Sequence, residues 1–283
     1  MIPQEIFSAL SDAQIVSTKG VIGGSINECY HVKLQDNQEF FVKKNDISSM
    51  ESMFDAEAKG LQLMSKAGAV CPKVIEIKLI GEEQFLILSY HPAKAASQEN
   101  WSNAGKMLAQ MHSHSSEKFG LDHDNYMGSL RQVNDLHDTF QEFFINCRLL
   151  PQIQLARDSG ALSSNHNRSF DRLFIQIENL IPKEKPSLIH GDLWIGNFHE
   201  TKDRVMLIDP AVAFSHREVD LAMSKLFGSP PKEFYSGYEE EFPTEGGFTE
   251  RIEIYNLYPL LIHLNLFGVS YLSGIESTLK KHT

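Results

Sequence analysis

Up to about Tyr90 the chain is patterned for strands, and beyond His91-Pro92 it is patterned for helices; no other feature limits its fold so sharply. Tyr30-His31-Val32-Lys33-Leu34 and Glu39-Phe40-Phe41-Val42-Lys43 flank the polar Gln35-Asp36-Asn37-Gln38, which predicts a hairpin. Apolar residues at Met50, Met53, Phe54, Leu61 and Met64 predict one amphipathic helix over 50–66, ending before Gly68. Two more strands are predicted at 73–79 and 84–90, around a turn at Gly81. Helical spacing or length then marks 101–112, 136–150, 170–180 and 251–271. Pro92 is a breaker, so the boundary between the two halves is placed at 89–92. The expected class is α+β in two lobes. Residues 1–90 would form a small antiparallel sheet with one helix, 91–283 a larger helical lobe, and the active site would lie between them. A chain of 283 residues, 42% of them apolar, is long enough to build both around one cleft.

Charge and cysteine usage remove several classes of partner. With 26 basic and 37 acidic side chains the formal charge is −11, which repels phosphate backbones and anionic lipid surfaces, so neither nucleic acid nor a membrane is expected. A nucleotide is not excluded, since its site needs only a few local cations and metal. Cys29, Cys71 and Cys147 are scattered and odd in number, which fits a reducing compartment and argues against a disulfide framework or a zinc site. MIPQEIFSAL has no basic run ahead of an apolar core, so no signal peptide is read there, and a cytoplasmic location is expected. The most apolar stretch, 255–274, contains Asn256, Pro259, His263 and Asn265 and reads as a buried helix.

The sharpest local pattern is Leu188-Ile189-His190-Gly191-Asp192-Leu193-Trp194-Ile195-Gly196-Asn197, followed by Val205-Met206-Leu207-Ile208 and Asp209. Phosphoryl transfer needs a carboxylate that orients and deprotonates the attacking hydroxyl, and oxygen ligands for the magnesium that neutralises a triphosphate. His-x-Asp with an Asn five residues on puts a base, Asp192, and a metal ligand, Asn197, on one loop. Asp209, at the end of a nearby strand, supplies the second metal ligand. A lone His-Gly-Asp would read as a surface turn; the three residues together do not. Upstream, Lys43 ends a predicted strand and Glu57 lies on the next predicted helix, the arrangement in which a lysine grips phosphates and a glutamate braces it. Glu51 and Asp55 are rivals for the brace. Gly23-Gly24-Ser25 lies ahead of both and could bring backbone amides to phosphate oxygens, although a plain hairpin turn fits it as well.

With these residues the chain resembles the fructosamine kinase family, within the wider group of aminoglycoside and choline kinases. Trp194 and Asp209-Pro210-Ala211 tilt the resemblance towards the former, and the segment His216-Arg217-Glu218-Val219-Asp220 also fits. The resemblance implies a protein-kinase-like fold, ATP and Mg2+ as cofactors, Asp192 as base, Asn197 and Asp209 as metal ligands, and Lys43 with Glu57 on the phosphates. It also implies that Ser89, Tyr90 and His91 form a hinge meeting adenine. The implied acceptor is the sugar 3-hydroxyl of a ketosamine, whose phosphorylated adduct then decomposes and frees the amine, a deglycation repair. Trp194 could stack on the sugar or anchor the loop from below. His216 and Glu218 could touch the sugar or begin a solvated helix, whereas Asp220 is expected to brace the catalytic loop, and His112 to serve as a cap or core residue. Asp-Pro-Ala in place of Asp-Phe-Gly, and the lack of Ala-Pro-Glu, argue against a protein kinase. The alternatives are an antibiotic or amino-alcohol phosphotransferase, for which Glu239-Glu240-Glu241 would draw a cationic acceptor, and an ATP-binding pseudokinase, which should have lost one of the four key groups.

Overall fold

The structure, a computed structural model, describes residues 2–21, 26–47 and 52–282. Five strands open it: β1 (Ile15–Gly20), β2 (Glu28–Leu34), β3 (Glu39–Asp46), β4 (Val74–Ile80) and β5 (Glu83–Ser89), with helix α1 (Met53–Lys66) between the third and fourth. They form one antiparallel sheet in the order β1-β2-β3-β5-β4. Alternation decides what each face buries. Val32, Leu34, Val42, Phe85 and Ile87 pack with Ile6 and Phe7 of an N-terminal 3-10 turn. Leu86 and Leu88 face the other way, onto Phe54 and Leu61 of α1. The hairpin expected at 30–43 is therefore present as the β2–β3 pair, with Tyr30 opposite Val42.

Past Ser89 the chain runs without regular structure to α2 (Gln98–His112), whose first turn is capped by the Ser97 hydroxyl accepting from Asn100 N at 3.1 Å. A short hairpin follows, β6 (Asn125–Met127) with β7 (Leu130–Gln132). Next come α3 (Phe140–Phe143), a π-helical stretch at Phe144–Leu149, α4 (Leu150–Asp158) and α5 (Ser164–Leu180). The expected helix at 136–150 starts later because Thr139, extended, caps α3 through its side chain. Strand β8 (Ser187–Ile189) leads into the loop of His190 to Asn197 and pairs with β11 (Ala213–Ser215), while β9 (Phe198–Glu200) pairs with β10 (Val205–Leu207). Then follow α6 (Glu218–Met223), α7 (Lys232–Glu241), α8 (Phe248–Tyr255), α9 (Leu257–Phe267) and α10 (Leu272–His282).

The single helix expected over 251–271 is two, α8 and α9. Pro259 sits in the first turn of α9, the place where a missing N–H costs least, so the axis restarts at Asn256. Gly268, at φ 92°, then ends it. Helices α2 and α7 cross at backbone contact: a Cβ on Gly105 would fall 1.9 Å from the Phe234 carbonyl oxygen, and one on Gly237 2.1 Å from that of Ser102. Only glycine fits either position. Among the described residues, no helix is long and apolar enough to cross a membrane.

Candidate active site

The loop after β8 is held from behind by a buried carboxylate. Asp220, on α6 and fully buried, accepts from the backbone N–H of His190 at 2.7 Å and of Gly191 at 2.9 Å. His112, buried at the end of α2, reaches the same carboxylate through Nε2 at 3.1 Å and bonds the Tyr238 hydroxyl through Nδ1 at 2.9 Å. Gly191 turns the chain at φ 84°, and a Cβ there would meet the Ala211 carbonyl oxygen at 2.0 Å. The bracing role expected of Asp220 is thus present as two hydrogen bonds, and His112 is a core residue that supports it.

His190 ties the two halves of the motif together. Its Nε2 donates to the Ile208 carbonyl at 2.8 Å, one residue before Asp209, and its Nδ1 accepts from Asp192 N at 3.2 Å. Burial lowers its pKa, so the ring stays neutral and keeps this donor–acceptor pattern. Asn197, in a 3-10 turn at Ile195–Asn197, donates through Nδ2 to the Asp192 backbone oxygen at 2.7 Å and to Asp192 Oδ2 at 3.1 Å. That orientation leaves the amide oxygen as the atom free to meet a cation. Burial, reinforced by the negative charge of Asp209, pushes the Asp192 carboxyl up to about 7 against the Asn197 hydrogen bond.

Lys43, on β3, is 3% exposed and sits between two carboxylates, Glu57 Oε1 at 2.7 Å and Asp209 Oδ1 at 2.6 Å. Burial alone would lower its pKa; Asp209 and Glu57 more than offset this and raise it, so the ammonium is permanently charged. Glu57 is the carboxylate of α1 that pairs with Lys43, and Asp55 is exposed on the same helix; Glu51 lies outside the described residues. The pair joins the sheet lobe to the strand end that carries Asp209, which itself adopts φ 55°.

These groups open into one cleft of about 390 Å³, with Lys43, Glu57, Asp192, Asn197 and Asp209 along one end. Trp194 also lines it, and its ring lies so close over Gly196 that a Cβ there would fall 2.2 Å away. The indole therefore anchors the loop with one part and presents another to the cleft. The lining also includes residues that the sequence did not mark as site candidates: the β6–β7 turn at Gly128, Phe227, and His263, Phe267 and Tyr271 from the C-terminal helices. The only signal available was His263 inside an apolar run, which reads equally well as a core histidine.

Two expected sugar contacts are elsewhere. His216 and Glu218 are 0% exposed and lie outside the cleft. The His216 ring packs on Phe140 and Tyr255 and bonds the Pro182 carbonyl at 3.2 Å, with burial lowering its pKa. Glu218 accepts from Arg251 Nε at 2.8 Å and Nη2 at 2.6 Å, and from the Tyr255 hydroxyl at 2.9 Å. The cause is β11: pairing behind β8 sends the following residues into the core, which excludes both the sugar contact and the solvated helix start. Ser89, Tyr90 and His91 cross between the lobes. The Ser89 hydroxyl is 2.9 Å from His91 Nε2, Tyr90 stacks on His31 at 3.7 Å, and the His91 carbonyl accepts from His199 at 2.9 Å. Gly23, Gly24 and Ser25 lie outside the described residues. Glu239, Glu240 and Glu241 are exposed at the end of α7, away from the cleft.

The hard oxygen donors of Asp209 and Asn197, beside one lysine, suit magnesium held jointly with phosphate. Among the described residues no cluster of three or more His, Cys, Asp or Glu could cage a metal alone, so phosphate oxygens and water would complete its coordination.

The chain is similar to known proteins along nearly its whole length. Over 98% of both chains this one is 37% identical to a Vibrio parahaemolyticus protein described as a ketoamine kinase. A Thermobifida fusca crystal structure described as a fructosamine-3-kinase superposes with a TM-score of 0.88 at 31% identity, over 98% of this chain and 96% of that one. An aminoglycoside phosphotransferase solved with AMP-PNP and hygromycin B superposes at 0.63 over 98% and 97% of the two chains. Only 12% identical, it establishes the protein-kinase-like fold and no more. The fructosamine kinase family model matches residues 2–283. The chain thus belongs to the fructosamine kinase family, and is an ATP-dependent small-molecule kinase of protein-kinase-like fold.

Proposed function

We propose that this enzyme moves the γ-phosphoryl group of ATP onto the sugar 3-hydroxyl of a ketosamine, in line and without a phosphoenzyme. The observation that carries this reading is the convergence of Lys43, Glu57 and Asp209 with Asp192 and Asn197 in one cleft. Asp192 takes the hydroxyl proton as the O3–P bond forms and the bond to the departing ADP oxygen breaks. Its raised carboxyl is a better proton acceptor than an ordinary aspartate. Lys43 holds the α/β-phosphates, and Glu57 keeps it in place. Asn197 and Asp209 would hold Mg2+, which when bound neutralises phosphate charge. The 89–91 crossing serves as the adenine hinge through its backbone, and Gly23, Gly24 and Ser25 as the phosphate loop. Trp194 offers an indole face to the sugar. The 3-phosphorylated product sheds its amine, which makes the reaction a deglycation step.

The test is magnesium-dependent ADP release with ribulose-lysine, fructose-lysine, choline and an aminoglycoside, using Asp192→Asn as the blank. Turnover confined to ketosamines, with phosphate on O3 by NMR, is expected. Turnover confined to choline or the aminoglycoside would discard the ketosamine reading, and tight ATP binding with no turnover anywhere would leave a pseudokinase.

A further inference from the structure

The charged side chains that line the cleft are Lys43, Glu57, Asp192 and Asp209, and three of them are bonded to one another at the phosphate end. Beyond Trp194 the lining changes character. Phe227 leads into Gly228, which packs on Ile195 of the catalytic loop, so this aromatic residue stands beside the loop. His263 is at the centre of a ring cluster: Phe227 at 4.5 Å, Tyr271 at 5.0 Å and Phe267 at 5.4 Å between centroids. Its Nδ1 is bonded to the Pro259 carbonyl at 2.7 Å, which fixes the ring, and burial keeps it uncharged. Phe267 is 53% exposed at the mouth, and no carboxylate, lysine or arginine is among the described lining residues at this end.

Resting on the ketosamine reading above, we infer that this aromatic wall is the subsite for the amine substituent, and that it selects uncharged apolar or aromatic substituents over charged ones. The amine is attached to C1 and the reacting oxygen to C3, so a sugar placed on Asp192 must project its substituent a few bonds further into the cleft. Lys43 and the carboxylates occupy the nucleotide end, which leaves the wall. An anionic substituent would find no cation there, and an ammonium no counter-charge, so each would be desolvated without a partner. A phenyl or alkyl group would exchange water for ring faces.

The test compares ribulose adducts of benzylamine, methylamine, glycine and ethylenediamine, which share the sugar and differ only in the substituent. With saturating MgATP, kcat/KM for the benzylamine adduct should exceed that for the glycine and ethylenediamine adducts by about tenfold or more, mostly through KM. Phe267→Ala should bring the benzylamine-to-methylamine ratio down several-fold, and Phe267→Leu should restore part of it; thermal melting confirms that both variants fold. Equal kcat/KM across the four adducts, or a ratio untouched by Phe267→Ala, would overturn the subsite while leaving the ketosamine reading standing. Turnover of none of the four, with turnover of choline or an aminoglycoside, would remove both.

Discussion

Asp192 is held in a way that suits the base proposed above and costs the fold. Its carboxyl is pushed up to about 7 by burial and by Asp209, well above its ordinary value of 3.8. A group whose folded pKa is raised contributes stability that is complete below the unfolded value and is lost as pH rises through the folded one. At pH 8, in EDTA, Asp192→Asn should therefore melt higher than the wild type, and the gain should vanish towards pH 4. The same variant should lose about two or more decades in kcat. Loss of activity with no gain in melting temperature at pH 8 would mean that the carboxylate is not strained. Glu218 makes the opposite case. Glu218→Ala would leave Arg251, 7% exposed, without its counter-charge, so a loss of about 3–5 kcal/mol in urea unfolding is expected. The KM of the folded fraction should not move, which separates a core ion pair from the sugar contact its position in the sequence suggested.

At the scale of elements, the legible parts were those written locally. Asp192, Asn197 and Asp209 fall within one loop and the next strand end, and alternation around residues 35–38 sufficed for β2 and β3. Lys43 and Glu57 could be paired by order along the chain, although choosing Glu57 over Asp55 needed the helix phase that buries one and exposes the other. What stayed hidden were partners far apart in sequence. Glu218 with Arg251, and Arg217 with Glu184 at 2.9 Å, are joined by folding across about thirty residues, and no local pattern announces them. The apolar run of α9 was legible as a helix but not as a wall, since one face packs Leu257, Leu261 and Leu264 in the core while the other lines the cleft. The crossing of α2 and α7 carries its own prediction. Gly105→Ala would drive a methyl into the Phe234 carbonyl, so a loss at or above the usual overpacking range of about 1–3 kcal/mol is expected by chemical denaturation. Because α2 ends at His112, beneath Asp220, kcat should fall in the same variant.

For the whole molecule, the bridge from Lys43 to Asp209 is one of the links between the sheet lobe and the helical lobe. A nucleotide seated there contacts both, and binding to the folded state alone should raise stability by about 2.7 kcal/mol at a hundredfold excess over Kd. Lys43→Met should show little of this shift at the same MgATP concentration, as read by differential scanning fluorimetry. The break between α8 and α9 reaches further than packing. Past it, Ile262, His263, Leu266, Phe267 and Tyr271 line a cleft whose Lys43, Glu57, Asp192, Asn197 and Asp209 all come from residues before 210. On the subsite inferred above, the groups of the reaction and most of the aromatic wall thus come from separate stretches of chain. Substitutions at exposed Phe267 should therefore retune the choice of substituent without touching the groups that carry the reaction.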